Sequence, residues 1–337
     1  MLAKFSQVGV SSSRRLKCYN GEQYVIALRL RSPFRAEYEW RNAAGYGFRS
    51  AVEFESMLSD HLQHIIVTRA PAGYHIHFLL VERALERRLR ELKSELTVGV
   101  FSLGRGIEYT FKSQSVSKSR TNYIFDNIIN SDEVNEQLKN ILRFAISERV
   151  NIIVLPELTV DQSGRETIKE FLMSQAHNPV IMMVIVGSYH IKSETGEYVN
   201  EAVVFGYDGR YVCGHEGTPE NLRYIEWRQR KANAFNLIAK DIEELRTAPN
   251  NSLQRLGQIL PAGTTESYEM ITESREIVLM DTPIGRMAVA ICRDFIATEF
   301  FSCLRDCRTD MVFVPAMTPT LKEFEKQKQS SRRFYRQ

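Results

Sequence analysis

Residues Asn151-Ile152-Ile153-Val154-Leu155-Pro156-Glu157-Leu158 form a near-continuous apolar run closed by a proline and a carboxylate. A run without polar alternation is the pattern of a strand covered on both faces. Proline cannot donate to a ladder, so Pro156 ends the strand and delivers Glu157 just beyond its C-terminal end. On either side, short apolar runs alternate with amphipathic stretches, which reads as α/β. Upstream, Leu96–Phe101 is expected as a first strand and Val134–Glu148 as a helix, with Leu138, Ile141, Leu142 and Ala145 at helical spacing. Downstream follow a helix over Arg165–Gln175, a strand over Ile181–Val186, and a strand over Glu201–Tyr207 that turns at Asp208-Gly209 into Arg210–Cys213. Leu237–Ile259 reads as an inserted helical stretch broken at Pro249. The sheet then resumes with strands Glu276–Met280 and Met287–Ile291 around a turn at Pro283-Ile284-Gly285. A helix over Thr298–Arg305 and a strand over Met311–Val314 complete the series.

The second strand end that presents a reactive side chain is Met287-Ala288-Val289-Ala290-Ile291-Cys292-Arg293-Asp294. It puts a thiol where a strand meets a loop and a helix start, a location expected to lower a thiol pKa through unpaired backbone N–H groups. Such N–H groups also receive an oxyanion. A thiol needs a base to become a good nucleophile near neutral pH, and Glu157 is a candidate for that base. Each half alone is also the pattern of an ordinary core cysteine or a turn carboxylate. Taken together, their order, their flanks and the following strand ending in Val314-Pro315 match a known pattern.

The segments Asn151–Leu158, Val184–His190, Asn200–Arg210, Asp281–Asp294 and Asp310–Thr318 resemble successive landmarks of the nitrilase/carbon–nitrogen hydrolase superfamily, over about Leu96 to Pro319. The resemblance implies a four-layer α-β-β-α sandwich built from two halves. It also implies thiol-dependent hydrolysis of a non-peptide carbon–nitrogen bond, in an amide, carbamoyl group or nitrile, without a cofactor or metal. By resemblance Cys292 is the nucleophile, Glu157 the general base, and Asp294 with Arg293 the support of the loop and substrate. The family's lysine would fall near His215-Glu216-Gly217, where none stands; Lys231 takes the role if Gly217–Tyr224 is a local insertion, and is otherwise a surface lysine of a basic helix. Glu216, Glu220 and Glu226 are candidates for a second acidic residue.

Three regions are expected: 1–95, an α+β N-terminal region of unassigned function that could end a fused module; 96–320, the hydrolase-like domain; and 321–337, a charged helical tail. In the first, Tyr24–Leu30 and Tyr74–Leu80 read as strands, and Ala51–Ile65 and Leu79–Leu96 as helices. The second helix interleaves Arg83, Arg87, Arg88, Arg90 and Lys93 with glutamates, a solvated ion-paired face. His75 and His77 alternate on one strand, with no third ligand near them. The family continues for several strands beyond its Val-Pro, so a fragment, a truncated product or one section of a longer polypeptide is expected here.

The chain has 337 residues, 43% hydrophobic and 25% charged, a globular composition. A net charge of +3 is too small to argue for nucleic acid, which is expected only through a fused or neighbouring module. Apolar runs such as Val180–Gly187 fall short of the roughly 20 residues that span a bilayer. Met1–Val10 shows no secretory pattern. A cytoplasmic location and reduced thiols at Cys18, Cys213, Cys292, Cys303 and Cys307 are therefore expected. A homo-oligomer is a further expectation. The rival reading is a catalytically degenerate domain that binds or regulates, for example linked to a bacterial antiviral reverse transcriptase.

Overall fold

The computed structural model describes residues 15–16, 23–27, 65–69, 73–80, 96–103, 106–175, 180–207, 224–247, 253–282, 285–317 and 324. In the first part of the chain it contains strands β1 (Arg15–Leu16), β2 (Gln23–Ala27), β3 (Ile65–Arg69), β4 (His75–Leu80), β5 (Val98–Val100), β6 (Tyr109–Ser115) and β7 (Arg120–Ile128). Then follow α1 (Ser131–Ser147), β8 (Ile152–Val154), α2 (Gln162–Ser174), β9 (Met183–Lys192), β10 (Tyr198–Tyr207), β11 (Tyr224–Arg230) and β12 (Asn236–Ile238). Beyond them lie α3 (Ala239–Thr247), α4 (Gln254–Ile259), β13 (Glu266–Glu269), β14 (Glu276–Thr282), β15 (Gly285–Val289), α5 (Arg293–Ile296), α6 (Thr298–Asp306) and β16 (Met311–Phe313).

Two five-stranded sheets, ordered β11-β10-β9-β8-β5 and β1-β4-β14-β15-β16, make the centre of the fold. Alternation along the strands divides their side chains between layers. Ile153, Val184, Val186, Val203 and Phe205 pack with Val134, Leu138 and Leu142 of α1 and Ile168 and Leu172 of α2. Their neighbours Ile152, Val154, Met183, Ile185 and Val204 face Met280, Met287, Val289 and Phe313 of the second sheet. The far face of that sheet, Ile277, Leu279, Ala288 and Ala290, packs on Phe300, Cys303, Leu304 and Cys307 around α6. The layers are therefore α-β-β-α, and the strands read as unbroken apolar runs because both their faces are covered.

β4 pairs in parallel with β14, from His75↔Glu276 to Leu80↔Asp281. The sheet that leads into Cys292 thus takes a strand from ahead of Leu96, and the boundary expected there does not coincide with a sheet edge. Tyr224–Arg230 is a strand rather than a basic helix: it pairs with β10 along its whole length, from Tyr207↔Tyr224 to Glu201↔Arg230. The stretch read as helical and broken at Pro249 holds α3 and α4 on either side of that residue, with β12 ahead of them, and the β6–β7 hairpin had no sequence counterpart. Ile65 begins β3, and Leu79 and Leu80 belong to β4. The expected elements over 51–64, 81–95, 210–213 and the tail 321–337, Phe324 excepted, lie outside the described residues, as do Cys18, Cys213, His215, Glu216 and Glu220. Among the described residues no helix is long and apolar enough to cross a membrane.

One glycine sets the approach of β9 to the exit of β8. Gly187 has φ +79°, and a Cβ there would lie 2.0 Å from the Pro156 carbonyl oxygen. Only a residue without a side chain lets the strands meet at the point where Glu157 is delivered.

Candidate active site

The strand ends converge on a buried cluster. Glu157 follows β8, Lys231 follows β11 and Cys292 follows β15; they are 3%, 2% and 7% exposed. Lys231 Nζ donates to Glu157 Oε1 at 2.9 Å and to Glu269 Oε2 at 2.7 Å. Asn200 Nδ2 donates to the Oε1 atoms of the same two carboxylates, at 3.0 and 2.8 Å. His190 Nε2 lies 2.7 Å from Glu269 Oε1, and the backbone N–H groups of Phe235 and Met317 donate to Glu269 Oε2 (2.8 Å) and Glu157 Oε2 (3.3 Å). The Cys292 thiol lies near enough to Glu157 and Lys231 to feel both charges.

The sequence-predicted Glu157, Lys231 and Cys292 are thus brought to one buried cluster. The second carboxylate is Glu269, which sequence reasoning missed. Glu226 instead pairs with Arg228 at 2.6 Å, with both side chains partly exposed. Glu269 closes β13, which pairs in parallel with β7, and Asn200 and His190 are direct cross-strand partners on β10 and β9. The available signal was a buried glutamate and histidine in otherwise ordinary strands, which local pattern does not distinguish from solvent-facing residues.

Asp294 ties the thiol's strand end to the lysine's. Its buried carboxylate accepts from Ala232 N (3.1 Å to each oxygen), Asn233 N (2.8 Å) and Asn233 Nδ2 (2.9 Å). Arg293 reaches the same segment, donating to Ala234 O at 3.4 Å and to Asn236 Oδ1. Cys292 itself sits at φ 47° and ψ −104°, between the last strand residues and the four-residue α5, and its N–H donates to Pro315 O at 2.8 Å. A left-handed non-glycine residue persists only where its surroundings fix it.

Burial dominates the electrostatics. It works against the Lys231 ammonium, yet Glu157 and Glu269 outweigh it and hold the amine protonated, well above its ordinary range. Burial likewise opposes charge on Glu269, but Lys231 and the His190 hydrogen bond keep that carboxyl well below the usual range. The Cys292 thiol is pushed well above its ordinary value, first by desolvation and then by Glu157, with only Lys231 among its main neighbours pulling the other way. This corrects the expectation of a lowered pKa: a one-turn helix offers too little dipole to offset burial beside a carboxylate. Asp294 is raised to about 7 by desolvation, against the hydrogen bonds from Asn233 and Ala232.

The other reactive groups lie elsewhere. Cys303 and Cys307 are buried in the core around α6, with Cys307 N donating to Cys303 O at 2.9 Å. His75 is exposed, and His77 Nε2 is 3.5 Å from Glu276 Oε1. Among the described residues no cluster of three or more His, Cys, Asp or Glu is arranged to hold a metal ion.

Fold and site together define an α-β-β-α sandwich with a buried carboxylate–ammonium–thiol cluster at converging strand ends. Solved structures of the nitrilase superfamily and its relatives are among those the chain is similar to. They include glutamine-dependent NAD+ synthetase from Acinetobacter baumannii (15% identity, 59% of this chain and 32% of that one, TM-score 0.36). Another is Saccharomyces cerevisiae Nit3, a member of branch 10 of the nitrilase superfamily (14%, 56% and 59%, 0.33). A third is a carbon–nitrogen hydrolase from Helicobacter pylori G27 (18%, 68% and 66%, 0.34). The chain spans from 32% to 66% of the length of these three structures. No family model and no curated protein matches it.

Proposed function

We propose that the chain hydrolyses a non-peptide carbon–nitrogen bond in a small amide, carbamoyl compound or nitrile, through a covalent intermediate on Cys292. The observation that carries this reading is one buried carboxylate, Glu157, that lies 2.9 Å from the Lys231 ammonium and acts electrostatically on the Cys292 thiol.

At rest the thiol keeps its proton beside the Glu157 carboxylate. As sulfur attacks an amide carbonyl carbon, that proton passes to Glu157, and the carbonyl electrons move onto oxygen. An ammonium has three N–H donors, and Glu157 and Glu269 take two on Lys231. The third meets the developing oxyanion in a site where water does not screen it. Collapse expels the nitrogen, which receives the proton from Glu157 and leaves as ammonia or an amine, with a thioester remaining on Cys292. Water then attacks the thioester while Glu157 takes its proton. The carboxylic acid departs, and the proton returns to sulfur. Asp294 and Arg293 fix the loop that carries the lysine against the turn that carries the thiol.

The test is ammonia release from a panel of small primary amides and nitriles. The wild-type chain is expected to release ammonia, and Cys292→Ala and Glu157→Gln to abolish it. Release that persists in Cys292→Ala would refute the nucleophile assignment. No release from any compound would instead favour a binding or regulatory role.

A further inference from the structure

His190 is a buried titratable side chain for which the reaction above has no use. It lies on β9 opposite Asn200, and its two ring nitrogens have different partners. The Phe125 backbone N–H donates to Nδ1 at 2.9 Å, and Nε2 lies 2.7 Å from Glu269 Oε1. A nitrogen that accepts a hydrogen bond carries no proton, so Nδ1 is the bare nitrogen and Nε2 the protonated one. The ring is further held by an edge contact with Phe125 at 5.5 Å between centroids. Strand β7 thus selects the tautomer, and β13 receives the hydrogen bond.

We propose that His190 is a positioning residue for the Lys231–Glu269 pair, locked as its Nε2–H tautomer by the backbone of β7. This rests on the carbon–nitrogen hydrolase reading of the site. His190 does not reach the reacting atoms; it acts through Glu269, whose other oxygen holds Lys231. With Oε1 committed to His190 and Asn200, only Oε2 is left to orient the ammonium toward Glu157. The charged and titratable groups of this network are Glu269 on β13, Lys231 after β11, Glu157 after β8, Cys292 after β15 and Tyr123 on β7. Without the imidazole, Asn200 alone holds Oε1, the carboxylate is less firmly fixed, and Lys231 loses part of its set direction.

The experiment measures turnover of 4-nitrophenyl acetate, an activated acyl donor that needs no knowledge of the natural substrate, by the full chain and its variants. Loss of one hydrogen bond to a buried charge predicts about a 10- to 100-fold lower kcat in His190→Phe, with KM within about twofold. His190→Gln, which presents an amide N–H near the place of Nε2–H, is expected to recover most of kcat. A long-range 1H–15N spectrum of the wild-type chain is expected to show the neutral ring as its Nε2–H tautomer. A folded His190→Phe variant with kcat within about twofold of wild type would overturn the proposal, as would a Gln variant no better than Phe. An Nδ1–H spectrum would do the same. If His190→Phe does not fold, the Gln variant and the spectrum decide. Wild-type turnover that survives in Cys292→Ala would instead refute the site reading itself. A wild-type chain that does not turn over the ester would remove both.

Discussion

Replacing Lys231 with Met takes the ammonium from between Glu157 and Glu269 and leaves two buried carboxylates sharing one amide, Asn200 Nδ2. At the observed 2.9 and 2.7 Å, and an effective dielectric of about 20, each ion pair has a gross attraction of about 6 kcal/mol. Most of this is offset by the cost of stripping water from three charged groups. Removing one partner of such a buried network typically costs about 3–5 kcal/mol, because the remaining charges stay uncompensated. Lys231→Met should therefore lower the urea midpoint sharply. The diagnostic step is a second change, Glu269→Gln, which removes one of the stranded charges. In the Lys231→Met background it should restore stability relative to the single variant, with a coupling of about 2 kcal/mol in the double-mutant cycle. The assay is urea unfolding of all four proteins. If the two changes add to within about 0.5 kcal/mol, the three groups do not sense one another, and the cluster is not the interacting unit inferred here.

Other perturbations test separate links. Glu157→Gln removes a carboxylate that raises the thiol, so iodoacetamide should alkylate Cys292 with a lower pH midpoint in the variant than in wild type, even though turnover is lost; an unchanged or higher midpoint would contradict the assignment. Asp294 has a folded value of about 7 against 3.8 for the free carboxyl, so the proton it gains stabilises the fold fully below about 4, and that stabilisation is lost as pH rises through about 7. The stability of wild type relative to Asp294→Asn should thus fall by about 1.4 kcal/mol per pH unit between those values, read by urea unfolding at several pH values. Gly187→Ala should cost well over about 1 kcal/mol, because left-handed backbone and the Pro156 oxygen both oppose a methyl group. Gly263→Ala, at φ +88° with nothing within 4 Å, isolates the backbone part and should cost clearly less in the same assay.

The apolar run ending in Pro156-Glu157 and the strand ending in Cys292 were legible because burial on both faces leaves an uninterrupted hydrophobic signature, and a strand end fixes where the next side chain goes. Lys231 was legible only as one of two alternatives. Arg228, Arg230 and Lys231 look alike in sequence, and what separates them is the pairing of β11 with β10, which leaves Lys231 just past the ladder. Glu269, His190 and Asn200 were not legible. Each stands in a strand with nothing local to mark it, and their convergence depends on β13 joining β7 and on the β9–β10 register, both long-range pairings. The thiol's environment was misread for a related reason: position at a helix start is visible in sequence, whereas the depth of burial and the adjacent Glu157 are properties of the assembled layers. The same holds for β4, whose partner β14 lies about 200 residues further on and is not marked by any local pattern.

The central claim is a covalent acyl intermediate on Cys292, and intact-protein mass spectrometry with peptide mapping tests it most directly. After rapid acid quench of the full chain with 4-nitrophenyl acetate, an acetyl mass is expected on Cys292 in wild type and not in Cys292→Ala, and hydroxylamine should remove it as a thioester. Acetylation confined to Cys303, Cys307 or lysines, or undiminished at other sites in Cys292→Ala with no adduct on Cys292 in wild type, would contradict the account.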